Sequence, residues 1–219
     1  MPMKILNYIA HLLYPWKCVF CDSVLKDTDI CRECAQKLPF TKGDSIVQRF
    51  AFMDKCVSPL YYKDNVRESI HRYKFGGCAA YSRRYGLIVS DCVENNLDCG
   101  GVDVISWIPL SRKRLRYRGY DQARLIAEEI AKNTGLPCRQ LLRKIKDNGA
   151  QSLTRDAKQR RDNVAGVYAL CEKTDVSGMR ILLVDDVVTT GSTMSEAARV
   201  LRRAGAKAVY GASLARHED

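Results

Sequence analysis

The segment Ile181–Thr193 constrains the fold more than any other part of the chain. It begins with four apolar residues, Ile-Leu-Leu-Val, continues with Asp185, Asp186 and two valines, and then reads Thr-Thr-Gly-Ser-Thr before a helical pattern. A continuous apolar run of this kind is typical of a central strand that is buried on both faces. Two adjacent carboxylates would be costly in the interior. We therefore predict that they lie at the carboxyl edge of the strand, where open α/β sheets bind ligands.

The residues after the acid pair predict an anion-binding loop. Hydroxyls, a glycine that permits close backbone approach, and the free amides of a helix start together suit a phosphate group. The chain supplies them in Thr189, Thr190, Gly191, Ser192 and Thr193. Ribose 5-phosphate fits this pattern, because it offers a phosphate to the loop and hydroxyls to the acids. The alternative is that the acids cap a helix and the loop is an ordinary turn.

Two other kinds of site do not match the sequence. A Walker-type nucleotide loop needs a glycine four residues before Gly-Lys-Ser/Thr, and the sequence lacks that pattern. The three histidines, His11, His71 and His217, are all distant in sequence from the segment 181–193. Their placement argues against a Ser-His-Asp hydrolase.

Alternating strand and helix patterns from about residue 56 onwards predict an α/β fold, with a parallel sheet flanked by helices on both faces. The predicted strands cover residues 57–62, 102–108, 167–170, 180–184 and 208–214, and the predicted helices cover 66–73, 80–93, 121–132 and 192–204. Segment 147–163 is polar and basic, which indicates a mobile loop or a loosely held helix. Residues 1–17 show an apolar stripe at helical spacing, and we expect it to pack on the protein itself.

Four of the ten cysteines form two close pairs that predict a metal site. Cys18, Cys21, Cys31 and Cys34 follow the spacing C-x2-C-x9-C-x2-C, which suits four thiolates around one structural zinc ion. An iron–sulfur cluster is the main rival, and two pairs of ordinary buried thiols are the simpler alternative. The other six cysteines are scattered and are interpreted as buried apolar residues of a reducing compartment, so we expect a cytoplasmic protein.

The net charge of +11 predicts an anionic ligand or partner. Five cations lie between Arg112 and Arg118 without an acid, and a second basic run covers residues 139–161. Either run alone would be read as a solvated face, but two runs that flank a phosphate motif favour phosphate or nucleic acid. No stretch reaches the roughly 18–20 uninterrupted apolar residues that a membrane span needs.

Residues 181–193 resemble the ribose-phosphate signature of type I phosphoribosyltransferases. The resemblance implies that Asp185 and Asp186 hold the ribose hydroxyls of phosphoribosyl pyrophosphate (PRPP), with Mg²⁺, and that residues 189–193 bind its 5-phosphate. Residues 108–112 resemble the pyrophosphate loop, which adds Ser111 and Arg112 to the site. Members that salvage 6-oxopurines carry a base-contacting acid where this chain has Thr189, so the resemblance argues against that substrate.

A narrower resemblance, to the ComF family of late-competence proteins, covers nearly the whole chain. It rests on the paired cysteines, Tyr-Lys-Phe-Gly at 73–76, Pro-Leu at 109–110, Arg-Gly-Tyr-Asp-Gln at 118–122, Gln-Ser-Leu at 151–153 and Arg-Asp-Asn at 161–163. Tyr120 and Asp121 depart from the usual Phe-Asn of the family, and Trp107-Ile108 departs from its usual Pro-Val before Pro-Leu. The resemblance implies a zinc module at 1–50, a phosphoribosyltransferase-like domain at 51–219, and a role in natural transformation.

These features together predict a PRPP-binding competence protein that acts with single-stranded DNA. The cations assigned to nucleic acid or to a flap are Arg114, Arg116, Arg118, Lys144, Arg155 and Arg161, with Tyr117 and Tyr120 as stacking candidates. Proteins of DNA uptake or recombination are possible partners. Two alternatives share the site. One is an active transferase that moves ribose 5-phosphate to an unidentified nitrogen nucleophile under a flap at 147–161, and the other is a ligand-sensing regulator. Lys74 is a site candidate from the resemblance alone.

Overall fold

A six-stranded sheet forms the centre of the molecule in the computed structural model, which describes residues 16–97, 101–146 and 166–218. Its strands are β3 (Val47–Gln48), β4 (Lys55–Val57), β5 (Leu60–Tyr61), β6 (Val104–Trp107), β9 (Arg180–Val188) and β10 (Ala208–Arg216). The order is β3-β4-β10-β9-β6, with β5 also paired to β10. All pairs are parallel except β3–β4, so the predicted parallel sheet is confirmed in its centre and becomes mixed at one edge.

Helices cover both faces of this sheet. The α-helices of the described residues are α1 (Arg32–Lys37), α2 (Asp64–Phe75), α3 (Tyr81–Asn96), α4 (Arg112–Arg118), α5 (Gln122–Thr134) and α6 (Ser192–Arg203), of which α2, α3 and α5 pack on one face and α6 packs on the other. Leu182 and Val184 of β9 join a core cluster with side chains of α2, α3 and α5. Ile181 and Leu183 join a second cluster with side chains of α6. Because successive strand residues face opposite sides, the apolar run of β9 is buried on both faces, as predicted.

Two short antiparallel strand pairs complete the described structure. β1 (Trp16–Lys17) pairs antiparallel with β2 (Val24–Leu25), and these strands precede α1 in the cysteine-rich region. β7 (Leu142–Lys144) pairs antiparallel with β8 (Tyr168–Leu170). The predicted helix at 1–17 lies almost entirely outside the described residues, and the predicted loop at 147–163 lies wholly outside them. In the part of the chain that is described, no helix combines the length and apolarity needed to cross a membrane.

The structure differs from the predicted elements at three places. The strand predicted at 57–62 is divided into β4 and β5 around Ser58-Pro59, because proline has no N–H to give to a ladder. β9 runs to Val188, four residues beyond the predicted end at Val184. Residues 112–118, for which the sequence predicted a basic run but no helix, form the helix α4.

Candidate ligand-binding cleft and metal centre

A small cleft opens at the carboxyl end of β9. It is lined by Asp185, Val187, Val188, Thr189, Gly191, Ser192, Thr193 and Met194. Thr189 and Thr190 are exposed, and the hydroxyls of Thr190 and Ser192 lie 2.8 Å apart. The structure thus places the first acid and the hydroxyl-rich loop at one edge of the sheet, with α6 starting at the loop.

Gly191 gives the loop its shape. Its φ of +68° lies in the left-handed region, and the first α6 hydrogen bond runs from the Ser195 amide to the Gly191 carbonyl at 2.8 Å. Amides of the first helical turn have no intrahelical acceptor, so an anion can accept from them. The ring of Phe50 lies against Gly191, and a Cβ there would meet ring carbons at 2.2 to 2.6 Å. Nothing in the local sequence signals this contact, and the sequence analysis missed it.

The two adjacent acids have different surroundings. Asp185 lines the cleft, and its Oδ1 accepts a hydrogen bond from the Asp186 amide at 2.8 Å. Asp186 is buried, and its Oδ1 lies 2.7 Å from the Nζ of Lys74. Burial, and then the charge of Asp186, raise the pKa of Asp185 well above the usual carboxyl value, while Lys74 opposes this rise. The acid that lines the cleft is therefore harder to ionise than an ordinary carboxyl.

Lys74 reaches Asp186 because the end of α2 is fixed by the segment 118–122. The hydroxyl of Tyr73 donates to the Gln122 carbonyl at 2.9 Å, and the hydroxyl of Tyr120 donates to the Tyr73 carbonyl. The side chains of Lys74 and Asp186 are only 19% and 11% exposed, so this ion pair is largely shielded from water. Lys74, which the family resemblance alone had singled out, thus lies beside the acid pair.

Asp121 organises the loop that resembles a pyrophosphate loop. Its Oδ1 accepts from the Arg124 amide at 3.2 Å and caps α5, and its Oδ2 accepts from the Leu110 amide at 3.0 Å. Burial raises the pKa of the Asp121 carboxyl, and the two amides oppose that rise. An asparagine, the usual residue here in the family that the sequence resembles, has one acceptor oxygen where aspartate has two, so it could not give each of these amides an oxygen of its own.

The basic run at 112–118 is an exposed helix. The Ser111 hydroxyl caps α4 by accepting from the Arg114 amide at 3.3 Å, and Gly119 ends the helix with a φ of +80°. Among the predicted site residues, Ser111 is buried and Arg112, Arg114 and Arg116 are exposed. Ser111 and Arg112 follow the loop fixed by Asp121, so they stand where that loop meets α4.

The remaining predicted cations are in different environments. Arg118 is half-buried and donates from Nη1 to the Gln122 Oε1 at 2.8 Å. Lys144 lies in β7, half-buried, with its Nζ 5.8 Å from the centre of the Tyr168 ring. Arg155 and Arg161 lie outside the described residues, as does the predicted flap at 147–161. The described structure therefore brings the α4 cations together and keeps Lys144 on the separate strand pair β7–β8.

The four paired cysteines converge to one point. All four Sγ atoms lie within 4.8 Å of one another, and those of Cys21 and Cys31 are 3.7 Å apart. Four thiolates at about 2.3 Å from one zinc ion have sulfur separations of about 3.8 Å, so the cluster fits a single tetrahedral ion. An iron–sulfur cluster would need room for several irons and sulfides between the thiolates. The donor set supports structural zinc, with every coordination position supplied by the protein.

Backbone and side-chain donors surround this metal centre. The Cys31 amide donates to the Cys18 Sγ at 3.4 Å, and the Cys34 amide donates to the Cys31 Sγ at 3.3 Å. From α2, the Asn65 Nδ2 donates to the Cys34 Sγ at 3.8 Å. Such outer contacts orient the ligands and offset the charge that four thiolates bring to one ion.

Helix α2 contacts both the metal centre and the cleft. Near its middle, Ser69 donates to the carbonyl of Val19, and the Arg72 Nη2 donates to the carbonyl of Phe20 at 2.7 Å. At its end, Lys74 meets Asp186. The helix has 12 residues and is about 18 Å long, so one rigid element carries the contacts of both sites.

Comparison with known families and proteins agrees with this architecture. A double zinc ribbon domain matches residues 9–46, and a phosphoribosyl transferase domain matches residues 120–219. The chain is 27% identical over 214 residues to competence protein F of Haemophilus influenzae, covering 94% of this chain and 93% of that protein. It is 29% identical over 198 residues to competence protein ComFC of Bacillus subtilis, covering 86% and 78%.

A third relative is named for DNA. The DNA utilization protein YhgH of Escherichia coli is 34% identical over 115 residues, which cover 49% of this chain and 46% of that protein. The two competence proteins match along most of this chain, including both matched domains. The chain therefore joins a double zinc ribbon to a phosphoribosyltransferase domain, and it is similar over most of its length to the competence proteins F and ComFC.

Proposed function

We propose that this protein binds PRPP with Mg²⁺ in the cleft at the end of β9 and acts with single-stranded DNA in natural transformation. The observation that carries the proposal is the meeting of Asp185 with the hydroxyl-rich residues 189–193, of which Thr189 and Thr190 are exposed, at the start of α6. A 5-phosphate in the loop accepts hydrogen bonds from these hydroxyls and from the first amides of α6. The ribose hydroxyls then face the acid pair, with Asp185 on the cleft side.

Ligand binding would change the ion pair between Lys74 and Asp186. The Lys74 Nζ, 2.7 Å from Asp186, is a donor within reach of the acid pair and can turn toward the negative charge of a pyrophosphate. Asp186 is then free to accept from a ribose hydroxyl. Ser111 and Arg112, beside the loop held by Asp121, are placed to contact the same pyrophosphate, whose charge Mg²⁺ neutralises when bound.

The DNA role is supported by charge and by the relatives. The net charge is +11, and α4 presents exposed Arg112, Arg114 and Arg116 with no acid in the helix. The curated relatives bear names of competence and DNA utilization. Binding through phosphate contacts releases counterions, so the affinity for DNA should fall steeply as salt is raised. Proteins of DNA uptake or recombination are the partners this role implies.

Paired calorimetry tests the proposal. Wild-type protein is titrated with PRPP and Mg²⁺, and separately with a short single-stranded oligonucleotide. We expect binding of both ligands, loss of PRPP binding in Asp185→Ala/Asp186→Ala, and loss of DNA binding at low salt in Arg114→Glu/Arg116→Glu. Wild-type protein that binds neither PRPP nor DNA would sink the proposal.

A turnover assay separates the binding role from catalysis. Pyrophosphate release is followed across free bases and ammonia, with PRPP and Mg²⁺ present. Release above background would favour the alternative of an active transferase acting on a nitrogen nucleophile. Binding without release would favour a sensor or a binding protein.

A further inference from the structure

An aromatic patch lies on the surface where the end of α2 meets α4. We define it as Phe75, Tyr117 and Arg118. Phe75 is 51% exposed and Tyr117 is 78% exposed, and their ring centres are 6.5 Å apart at 58°. The guanidinium carbon of Arg118 lies 5.1 Å from the centre of the Phe75 ring. The ring centres of His71 and Phe75 are 4.9 Å apart.

Packing does not account for the exposure of this patch. Eight large apolar side chains of the described residues are exposed, and Phe75, Leu115 and Tyr117 are three of them. Helix α4 buries none of its seven residues. Scattered exposed apolar residues are ordinary, whereas a cluster of aromatic faces suggests a binding surface.

The positive charge around the patch favours a negatively charged partner. Arg112, Lys113, Arg114 and Arg116 are exposed on α4, the helix that carries Tyr117. A ligand for this surface must combine negative charge with flat apolar faces. Single-stranded DNA has both, since its phosphates carry charge and its bases are unpaired. In a duplex the base faces are already stacked, so a duplex could use only the charges.

We infer that the aromatic patch stacks unpaired bases of single-stranded DNA while the α4 cations hold the adjoining phosphates. The inference rests on the proposed function and identifies the part of the surface on which the bases stack. It also corrects an expectation, because Tyr120 is half-buried with its hydroxyl bound to the Tyr73 carbonyl, whereas Phe75 takes the stacking role beside Tyr117.

The patch also places the strand relative to the cleft. Phe75 directly follows Lys74, whose Nζ lies 2.7 Å from Asp186. Arg118 joins the two regions, because it lies over the Phe75 ring and donates to Gln122, the residue that fixes the end of α2. A strand held on the patch therefore lies at the rim of the cleft.

A comparison of two strands tests the inference. Fluorescence anisotropy measures binding of a short oligothymidylate and of an abasic strand of the same length and charge. Base–aromatic stacking contributes about 1–3 kcal/mol per base, so wild-type protein should prefer the oligothymidylate by about tenfold. Phe75→Leu and Tyr117→Ala should remove most of this preference, whereas Phe75→Tyr should keep it.

Controls separate stacking from charge and from folding. Phe40→Ala removes an aromatic ring that is 43% exposed elsewhere on the surface and should leave the preference unchanged. Phe75→Leu should keep the wild-type salt dependence, because it removes no phosphate contact, whereas Arg114→Ala/Arg116→Ala should reduce it. Thermal unfolding of each variant confirms that the fold is intact.

The outcomes distinguish this inference from the proposed function. Equal wild-type affinity for the two strands, or a full preference in Phe75→Leu and Tyr117→Ala, would overturn stacking while leaving DNA binding through phosphates in place. Competition by thymidine monophosphate at the same nucleotide concentration as the oligothymidylate would also overturn it, since the site would then prefer single nucleotides. Failure of the wild type to bind either strand would reject both the inference and the DNA role.

Discussion

The metal centre and the cleft both hold groups of like charge close together. The two sites differ in how that charge is neutralised. At the metal centre four thiolates converge within 4.8 Å, and one ion satisfies all of them. In the cleft, Asp185 and Asp186 are adjacent, and of these two acids only Asp186 forms an ion pair within the described structure. The metal centre is built for permanent occupancy and contributes stability. The cleft retains an unfavourable charge that a ligand can relieve.

Removing the metal should have the largest effect. Cys18→Ser, or treatment with a strong chelator, leaves the remaining thiolates without their ion. Cys18 and Cys34 are also part of the main core, so we expect a loss of more than about 4 kcal/mol in the free energy of unfolding. Thermal unfolding with a zinc assay measures it.

A cysteine outside the centre provides the control. Cys171 is half-buried, and Cys171→Ser should cost less than about 1 kcal/mol and leave the zinc content unchanged. If Cys18→Ser had the same free energy of unfolding as the wild type, the metal centre would not stabilise the fold. Its contrast with the cleft would then be lost.

Gly191→Ala tests how tightly the cleft is shaped. The new Cβ would meet the Phe50 ring, and alanine would also have to adopt a φ near +68°, so we expect a loss of about 3 kcal/mol and weaker PRPP binding. Gly135→Ala is the matched control, since its φ is +72° with nothing within 4 Å of the new Cβ. It should cost only about 1 kcal/mol. Equal losses in denaturant unfolding would show that Phe50 does not constrain the loop.

The two acids should respond in opposite directions to the same change. Asp186→Asn removes the partner of a largely shielded Lys74 and should cost about 2 kcal/mol. Asp185→Asn removes the charge that burial and Asp186 disfavour, so the unliganded protein should keep or gain stability. Both variants should lose stabilisation by PRPP. Thermal unfolding with and without the ligand measures these effects, and equal destabilisation by the two would contradict the difference between the acids.

The smallest effect concerns pH. Because the pKa of Asp185 is raised, the folded protein binds more protons than the unfolded chain above the usual carboxyl pKa of about 3.9. Its contribution to the free energy of unfolding therefore falls as pH rises through that window and is constant above the raised pKa. Comparing wild type with Asp185→Asn isolates this slope, because the raised pKa of Asp121 contributes equally to both. Within that window we expect the slopes of the two curves to differ by about 1 kcal/mol for each pH unit, and parallel pH curves would reject this.

Features that depend on residues close together in the sequence were predictable from the sequence. The apolar strand before Asp185, the sheet around it and the four-cysteine cluster are all confirmed. Their physics is local, because a buried strand needs an apolar run and a tetrahedral ion needs closely spaced thiolates. The ligand roles of Asp185 and the residues 189–193 stay predictions.

Features that depend on distant contacts were not predictable. α4 has no apolar periodicity, and its ends are set by the Ser111 cap and by Gly119. The Phe50 ring on Gly191 and the Lys74–Asp186 pair join residues far apart in sequence. Lys74 was indicated by resemblance alone, and Phe50 by nothing. Such contacts follow from tertiary packing, which pattern reading does not supply.

The dual role of α2 has a consequence for how this protein can be divided. Asn65, Ser69 and Arg72 bond to the cysteine-rich region, and Lys74 at the end of the same helix contacts Asp186. Cutting away the zinc ribbon would strip these groups of their acceptors and expose the face of α2 that it covers. The ribbon is therefore an integral part of the fold. A transferase domain without it would have an α2 that is exposed on one face and lacks these hydrogen bonds.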